Sequence, residues 1–321
     1  MILIIFLLVL TIYLITKKWV NKKSDSLRCL VGKTAIVTGG NSGIGYGTVL
    51  LLASRGCKVV IADCVNGEKS RDEIIKKTQN PNISYRYLDL SSLKSVRNFC
   101  EDIRKSEKKI DILVNNAGVA ASTKTITEDG LNYVMQVNFF GAFLFTHLLL
   151  ELLKNADAAR VIFVSSLTAH VHNLTLENLN LTGVTQTDAH TKEFYANSKL
   201  CNIIAAQEFG KRLGKYGIIS NSLDPLLVKT EAYSKTFRIL RDKLWRISSM
   251  IILPLFGMNE VEGAETYLHL AASETLDNKS GGHYAACSAM YKPRILKDEH
   301  FCEEIWRKTE ELVKLKPEDR L

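Results

Sequence analysis

A phenol and an ammonium stand four residues apart in Tyr195-Ala196-Asn197-Ser198-Lys199, a spacing that puts both on one face of a helix. A cation so placed stabilises a phenolate and draws a tyrosine down from its usual pKa of about 10, which makes the side chain usable as a general acid or base. The spacing alone is weak evidence, because Tyr13 and Lys17 repeat it in a stretch with no plausible chemistry. Two other residues strengthen it. Ser166 closes an apolar run upstream and offers a hydroxyl to a substrate oxygen, and Asn138 sits in a long helical stretch further back. Together they suggest proton transfer at an alcohol or carbonyl oxygen.

A second group suits a dinucleotide. Gly39-Gly40-Asn41-Ser42-Gly43-Ile44-Gly45 follows an apolar run and opens a helical stretch, spaced G-x-x-x-G-x-G. Without Cβ atoms in the way, a pyrophosphate can approach the backbone N–H groups at a helix N-terminus, although a glycine run can also be a plain tight turn. About twenty residues on, the apolar run Val59-Val60-Ile61-Ala62 ends in Asp63. A carboxylate there can accept from both ribose hydroxyls, and its charge repels a 2′-phosphate. Cys64, Val65 and Asn66 follow with no Arg or Lys to offset it, so NAD(H) is favoured and NADP(H) is the alternative. Asp63 as a simple loop or cap residue stays open. Asp89 and the Asn115-Asn116-Ala117-Gly118 stretch close the next two apolar runs, and both are also good turn formers.

The elements that must position these residues are legible as alternation. Apolar runs at 34–38, 58–62, 83–88, 110–114, 161–164 and 218–223 read as buried parallel strands, with helical stretches at 44–55, 66–78, 92–107, 127–153 and 193–214 between them. This is a βαβ series. It predicts an α/β, Rossmann-type doubly wound parallel sheet in a single domain over 31–321, with no repeat or Pro/Ser-rich linker to divide it.

Thr38 to Gly45, Asn115-Asn116-Ala117-Gly118, Asn138, Ser165-Ser166 and Tyr195-x-x-x-Lys199, in this order and spacing, resemble the short-chain dehydrogenase/reductase family over about residues 31 to 290. The stretches 165–170 and 195–200 are similar to its retinol-dehydrogenase-like branch, and 43–46 and 281–284 further resemble a polyprenol-oxidising member of that branch. The resemblance implies an NAD(P)-binding oxidoreductase acting on a lipophilic alcohol, aldehyde or ketone. In it Tyr195 exchanges the alcohol proton, Lys199 lowers its pKa and holds the nicotinamide ribose, Ser166 positions the carbonyl oxygen, and Asn138 supports a relay water. It also implies that Gly39, Asn41, Ser42, Gly43, Ile44, Gly45, Asp63, Asp89, Asn115 and Ala117 line the cofactor, with Thr230 at the carboxamide. The sequence departs from the family twice. Cys64 stands where the retinoid branch usually has Arg, and Pro225-Leu226 where the family has Pro-Gly. A catalytically idle Rossmann module, sensing a nucleotide or acting as a scaffold at the membrane, is the alternative that Leu226 keeps open.

From Ile2 to Thr16 nothing is charged, and Lys17-Lys18-Trp19-Val20 forms a border suited to headgroups. At about 1.5 Å per residue this segment spans roughly 24 Å, workable in a thin bilayer. The expectation is a single-pass anchor at 1–20 and a basic linker at 21–30, in a membrane of the endoplasmic reticulum type. Lys17, Lys18, Lys22, Lys23 and Arg28 all follow the apolar run, which places the remaining chain in the cytosol and leaves the sequons at Asn82, Asn173, Asn180 and Asn278 bare.

Those five cations against Asp25 account for +4 of a net +8 over 321 residues. The remaining +4 is too little for a phosphate-neutralising face, so no nucleic acid is expected. Seven scattered cysteines without C-x-x-C, and seven histidines without H-E-x-x-H, suggest neither a disulfide framework nor a metal site. A homo-oligomer is compatible with the sequence. Within 231–258, Phe237, Leu240, Leu244, Ile247 and Ile251 make an apolar stripe flanked by Arg238, Arg241, Lys243 and Arg246, a substrate cap or a lid touching the bilayer. Near the C-terminus, Glu303–Arg307, Glu304–Lys308 and Glu310–Lys314 have ion-pair spacing on a helix.

Overall fold

The computed structural model describes Lys17 and residues 22–183, 188–229, 253–255 and 257–321. The expected anchor, apart from Lys17, and most of the expected cap lie outside these residues. Among the described residues no helix is long and apolar enough to cross a membrane.

Among the described residues eight strands form one sheet: β1 (Thr34–Thr38), β2 (Lys58–Asp63), β3 (Ile83–Tyr87), β4 (Ile112–Asn115), β5 (Arg160–Val164), β6 (Ile219–Leu223), β7 (His283–Ala285) and β8 (Ser288–Ala289). Their order is β3-β2-β1-β4-β5-β6-β7-β8, parallel throughout except for the terminal β7–β8 pair. The helices are α1 (Gly43–Ser54), α2 (Glu68–Thr78), α3 (Leu93–Ser106), α4 (Tyr133–Met135, continuing through Gly141–Leu148), α5 (Leu150–Lys154), α6 (Asp188–Leu213), α7 (Glu260–Ala272) and α8 (Glu299–Leu312).

The strands read as unbroken apolar runs because both faces are covered. Ile36, Leu113, Val161 and Phe163 face a core completed by α3, α4, α6 and α8. Their neighbours Ala35, Val37, Ile112, Val114, Ile162 and Val164 face the core under α1 and α7. Gly47 permits the second layer to close, since a Cβ there would lie 2.2 Å from the Glu260 carbonyl oxygen on α7. Five of the seven cysteines are buried, and all seven are free thiols.

The linker is tied down where it is described. Ser24 N–H donates to Glu265 at 3.0 Å, Ser26 Oγ to the Ala272 carbonyl at 2.8 Å, and Arg28 makes a two-nitrogen contact with Asp277. Asp277 also pairs with Arg160, whose buried guanidinium donates to the Leu270 and Ser273 carbonyls as well.

Two expectations need correction. The stretch 127–153 is not one helix: it starts at Tyr133, passes through a π-helical turn at Gln136–Phe140, and breaks at Leu149. The C-terminal pairs form with other partners. Glu303 pairs with Arg212, Arg307 with Glu304 three residues back, and Glu310 accepts from Trp306 Nε1 at 2.8 Å and pairs with Arg320.

Candidate active site

The direction in which strands are added reverses between the parallel neighbours β1 and β4: from β1 the order runs one way to β3 and, from β4, the other way to β8. In a doubly wound sheet such a reversal opens a crevice at the carboxyl ends of the strands, and the residues of interest lie there.

On one side, Gly39 and Gly43 take φ values of +66° and +55°, the left-handed region that glycine occupies without steric cost. A Cβ at Gly45 would stand 2.0 Å from the Gly39 carbonyl oxygen and 2.6 Å from Asn116 Nδ2, so the turn and the helix start can meet only without one. Ser42, the N-cap of α1, is extended and gives no side-chain capping bond. The first N–H groups of α1 are thereby left for an external acceptor, as a pyrophosphate site needs. Asn41 stitches this turn to the one after β2: its Nδ2 donates to the Asn66 carbonyl at 3.2 Å, and Ser70 Oγ donates to its Oδ1 at 2.6 Å. Asp63 completes the stitch by accepting from Asn41 N–H at 3.2 Å and Val65 N–H at 3.0 Å. Each oxygen keeps a second lone pair for a hydroxyl.

Thr38 Oγ1 accepts from the N–H groups of Asn116 and Ala117, both at 3.0 Å, which fixes the turn after β4 beside the glycine turn. Asn116 Nδ2 donates to the Thr38 carbonyl at 2.9 Å, and its Oδ1 accepts from Tyr267 on α7 at 3.1 Å. Asn115 points elsewhere: its buried Nδ2 donates to Thr146 Oγ1 on α4 at 2.9 Å. The Asn115 side chain is thus a strand-to-helix tie. Strand alternation sends it to the opposite face from Asn116. Asp89 accepts from the Ser91 N–H and hydroxyl at 2.8 and 2.7 Å and forms the local turn.

On the other side lies the acid-base group. Asn138 sits inside the π-helical turn, where an extra residue per turn pushes its amide out of the helical stack. It accepts from Val119 N–H at 2.7 Å, donates to the Val119 carbonyl at 2.9 Å, and donates to Ser198 Oγ on α6 at 3.0 Å. Ser198 Oγ in turn donates to the Tyr195 carbonyl at 2.8 Å. Lys199 is buried, donates to the Val164 carbonyl at 3.1 Å, and lies 5.5 Å from the centre of the Tyr195 ring. Burial pulls its ammonium down to about 8, against the opposing pull of Asp224. Ser165 Oγ donates to the Lys199 carbonyl at 2.7 Å and fastens α6 to the end of β5. Ser166, half-buried and extended, caps the short 3-10 turn Leu167–Val171 by accepting from Thr168 N–H at 3.3 Å. Tyr195 is half-buried.

Thr230 falls outside the described residues, as does the apolar stripe of the cap. The two ends of that segment are pinned together, because Met258 N–H donates to the Leu227 carbonyl and Lys229 N–H to the Met258 carbonyl, at 2.8 and 2.9 Å.

Sequence reasoning missed three residues. Asn116 stood in a quoted motif without a role. Asp224 stood beside the noted Pro225-Leu226. Tyr267 carries no local signal, since its partner Asn116 is 151 positions away.

A glycine cradle at a helix N-terminus, facing a helix-borne tyrosine and lysine across the carboxyl edge of a parallel sheet, defines a dinucleotide-dependent oxidoreductase. Comparison with known proteins gives the particular family. A short chain dehydrogenase model matches residues 33–178. Human retinol dehydrogenase 12 is 36% identical over 287 residues, 88% of this chain and 87% of that protein. Mouse retinol dehydrogenase 11 is 36% identical over 319 residues, covering 94% and 95%. Among solved structures, a protein from Mycobacterium paratuberculosis superposes with a TM-score of 0.70 at 24% identity, covering 90% of this chain and 96% of that one. The RhlG/NADP complex of Pseudomonas aeruginosa does so at 0.60 and 25%, covering 79% and 94%. The chain belongs to the short-chain dehydrogenase/reductase family, in its retinol-dehydrogenase-like branch, and is an NAD(P)-dependent enzyme acting on CH–OH groups.

Proposed function

We propose that the protein is a membrane-anchored oxidoreductase interconverting an apolar lipid alcohol, of the retinoid, polyprenol or sterol class, with its carbonyl. The observation that carries this reading is the buried Lys199 ammonium beside the Tyr195 ring, on a helix fixed to the sheet edge opposite the glycine cradle. When bound, the nicotinamide cofactor supplies the hydride acceptor or donor. Gly39, Asn41, Ser42, Gly43, Ile44, Gly45 and Asp63 would hold its adenosine and pyrophosphate part, and Ala117, Tyr195, Lys199 and Thr230 its nicotinamide part. Asp89 would serve the adenine end.

In alcohol oxidation Tyr195 takes the hydroxyl proton as the carbon gives up its hydride, and in carbonyl reduction it returns that proton. Lys199 lowers the cost of the phenolate. Ser166 orients the substrate oxygen. The Val119–Asn138–Ser198 chain of hydrogen bonds holds α6 in register with the turn after β4 and offers a path for a relay water.

Support for an apolar substrate comes from the retinol dehydrogenase names of the relatives and from the apolar stripe expected in the segment that departs and returns beside the site. Asp63, with Cys64 after it, supports NAD(H) over NADP(H). The apolar run at 2–16 and the lysines that follow it support a single-pass anchor with the enzyme domain in the cytosol. A screen of lipid alcohols and aldehydes with the purified protein, followed at the reduced-nicotinamide absorbance band, tests the reading. Turnover of a lipid alcohol supports it, and binding of NAD(H) without turnover of any member would favour the idle module. Orientation has its own check. Protein expressed in cells should keep its gel mobility after glycosidase treatment, and a faster band would put the sequons at Asn82, Asn173, Asn180 and Asn278 in the lumen.

A further inference from the structure

Beyond the tyrosine and lysine, the site contains a second carboxylate that the proposed reaction leaves without a role. Asp224 follows β6 directly and is buried. Its Oδ1 accepts from Leu226 N–H at 2.6 Å, and its own N–H donates to the Tyr284 carbonyl at 2.8 Å. The other oxygen, Oδ2, is buried and has no hydrogen-bond partner among the described residues. Leaving a carboxylate oxygen dry and unpaired costs free energy unless a charge nearby offsets it. Lys199 is the neighbouring charge: its Nζ donates to the Val164 carbonyl at 3.1 Å, and Val164 is the β5 partner of Leu223, the residue before Asp224. The Asp224 charge accordingly raises the Lys199 pKa against the effect of burial. Leu226, meanwhile, sits at φ +59°, a left-handed conformation in which a non-glycine residue is strained.

We propose that Asp224 is a positioning residue with two duties: its buried carboxylate keeps the Lys199 ammonium charged, and the same group clamps Leu226 in the left-handed turn that closes the site. The consequence for catalysis rests on the oxidoreductase reading, whereas the charge pairing does not. Burial pushes the Asp224 carboxyl up to about 6 and pulls the Lys199 ammonium down to about 8. Between those values both are ionised, which is the range in which Lys199 can support a phenolate. The other titratable groups facing the pair are Tyr195 on α6 and Tyr267 on α7, and burial, then the Asp224 charge, holds the Tyr267 phenol protonated.

Asp224→Asn separates this from a purely structural turn, because the amide oxygen still accepts from Leu226 N–H while the charge is gone. The charge on Lys199 is read from its 13Cε and 15Nζ NMR shifts against pH, assigned by the signal that disappears in Lys199→Arg. Expected is a fall of about one pH unit in the Lys199 midpoint, with the folded circular-dichroism spectrum retained. If Asp224→Asn alone does not fold, Asp224→Asn combined with Leu226→Gly removes the strain that the clamp opposes, and the same midpoint is read. An unmoved midpoint in whichever variant folds overturns the proposal. A lowered midpoint in a protein that transfers no hydride would uphold the charge pairing and remove the oxidoreductase reading instead.

Discussion

Two turns at the carboxyl edge of the sheet, one after β1 and one after β6, solve the same backbone problem with different residues. Both need left-handed conformations. The first takes them at Gly39 and Gly43, the second at Leu226. Each is also closed by an aspartate that accepts from a turn N–H, Asp63 from Asn41 and Asp224 from Leu226. The difference lies in what surrounds the carboxylate. Asp63 is half-buried and close to solvent, so its spare lone pairs are available to an incoming hydroxyl. Asp224 is buried and answers only to neighbours fixed in the fold. A turn built from glycines leaves room for a ligand, whereas one built around a leucine and a buried acid serves the internal electrostatics of the site.

Substitutions that exchange the properties of the two turns should have unequal effects. The largest is expected at Gly45→Ala, where the new Cβ meets backbone at 2.0 Å with nothing flexible to yield. Overpacking of this kind costs about 1–3 kcal/mol or more, and because the clash falls on the phosphate cradle, NAD(H) affinity should drop about a hundredfold. Titration by nicotinamide fluorescence measures it, and an unchanged Kd would show that the cradle does not hold the cofactor. Next comes the half-buried acid, Asp63. In a partly solvated site the like-charge penalty between Asp63 and a 2′-phosphate is about 1–3 kcal/mol, so preference for NAD over NADP should be roughly tenfold to a hundredfold in kcat/KM. Asp63→Ala should flatten that preference, and Asp63→Ala with Cys64→Arg should reverse it. Unmodified enzyme that prefers NADP would take Asp63 away from the ribose. Smallest, and opposite in sign to the first, is Leu226→Gly. Relief of left-handed strain is offset by the greater freedom of an unfolded glycine, leaving a gain of about 1 kcal/mol or less in denaturant unfolding. A loss of more than that would mean that the leucine side chain, and not the Asp224 clamp, holds the turn.

The central sheet was readable from sequence because its strands are buried on both faces and so appear as uninterrupted apolar runs. The glycine cradle was readable because three glycines at a strand-to-helix junction have few other uses. β7 was not, since three residues give no period to detect. α7 carries a capping box, Asn259 with Glu262, but in sequence it follows the apolar and basic stretch at 231–258, which obscures it. Asn115 illustrates a finer limit. Two adjacent asparagines look interchangeable in sequence, yet the alternation at the end of β4 sends one to α4 and the other to the turn after β1 and to Tyr267 on α7. The C-terminal ion pairs failed for a related reason. Helical spacing says which residues are neighbours on one helix, but Arg212 from α6 and the Trp306 indole reached Glu303 and Glu310 first. Asp224 and Leu226 could have been paired from sequence, because an Asp two residues before a non-glycine at a family glycine position is a local hydrogen-bond signature.

In the proposed reaction Tyr195 is the group that moves the proton. Tyr195→Phe keeps the ring beside Lys199 and removes only the hydroxyl. With a lipid alcohol that the unmodified protein oxidises, kcat/KM should fall by about 10²-fold to 10⁴-fold while the Kd for NAD(H) stays within about twofold. Turnover by the variant at the unmodified rate would contradict the assignment and leave the fold as a nucleotide-binding module whose tyrosine and lysine do no chemistry.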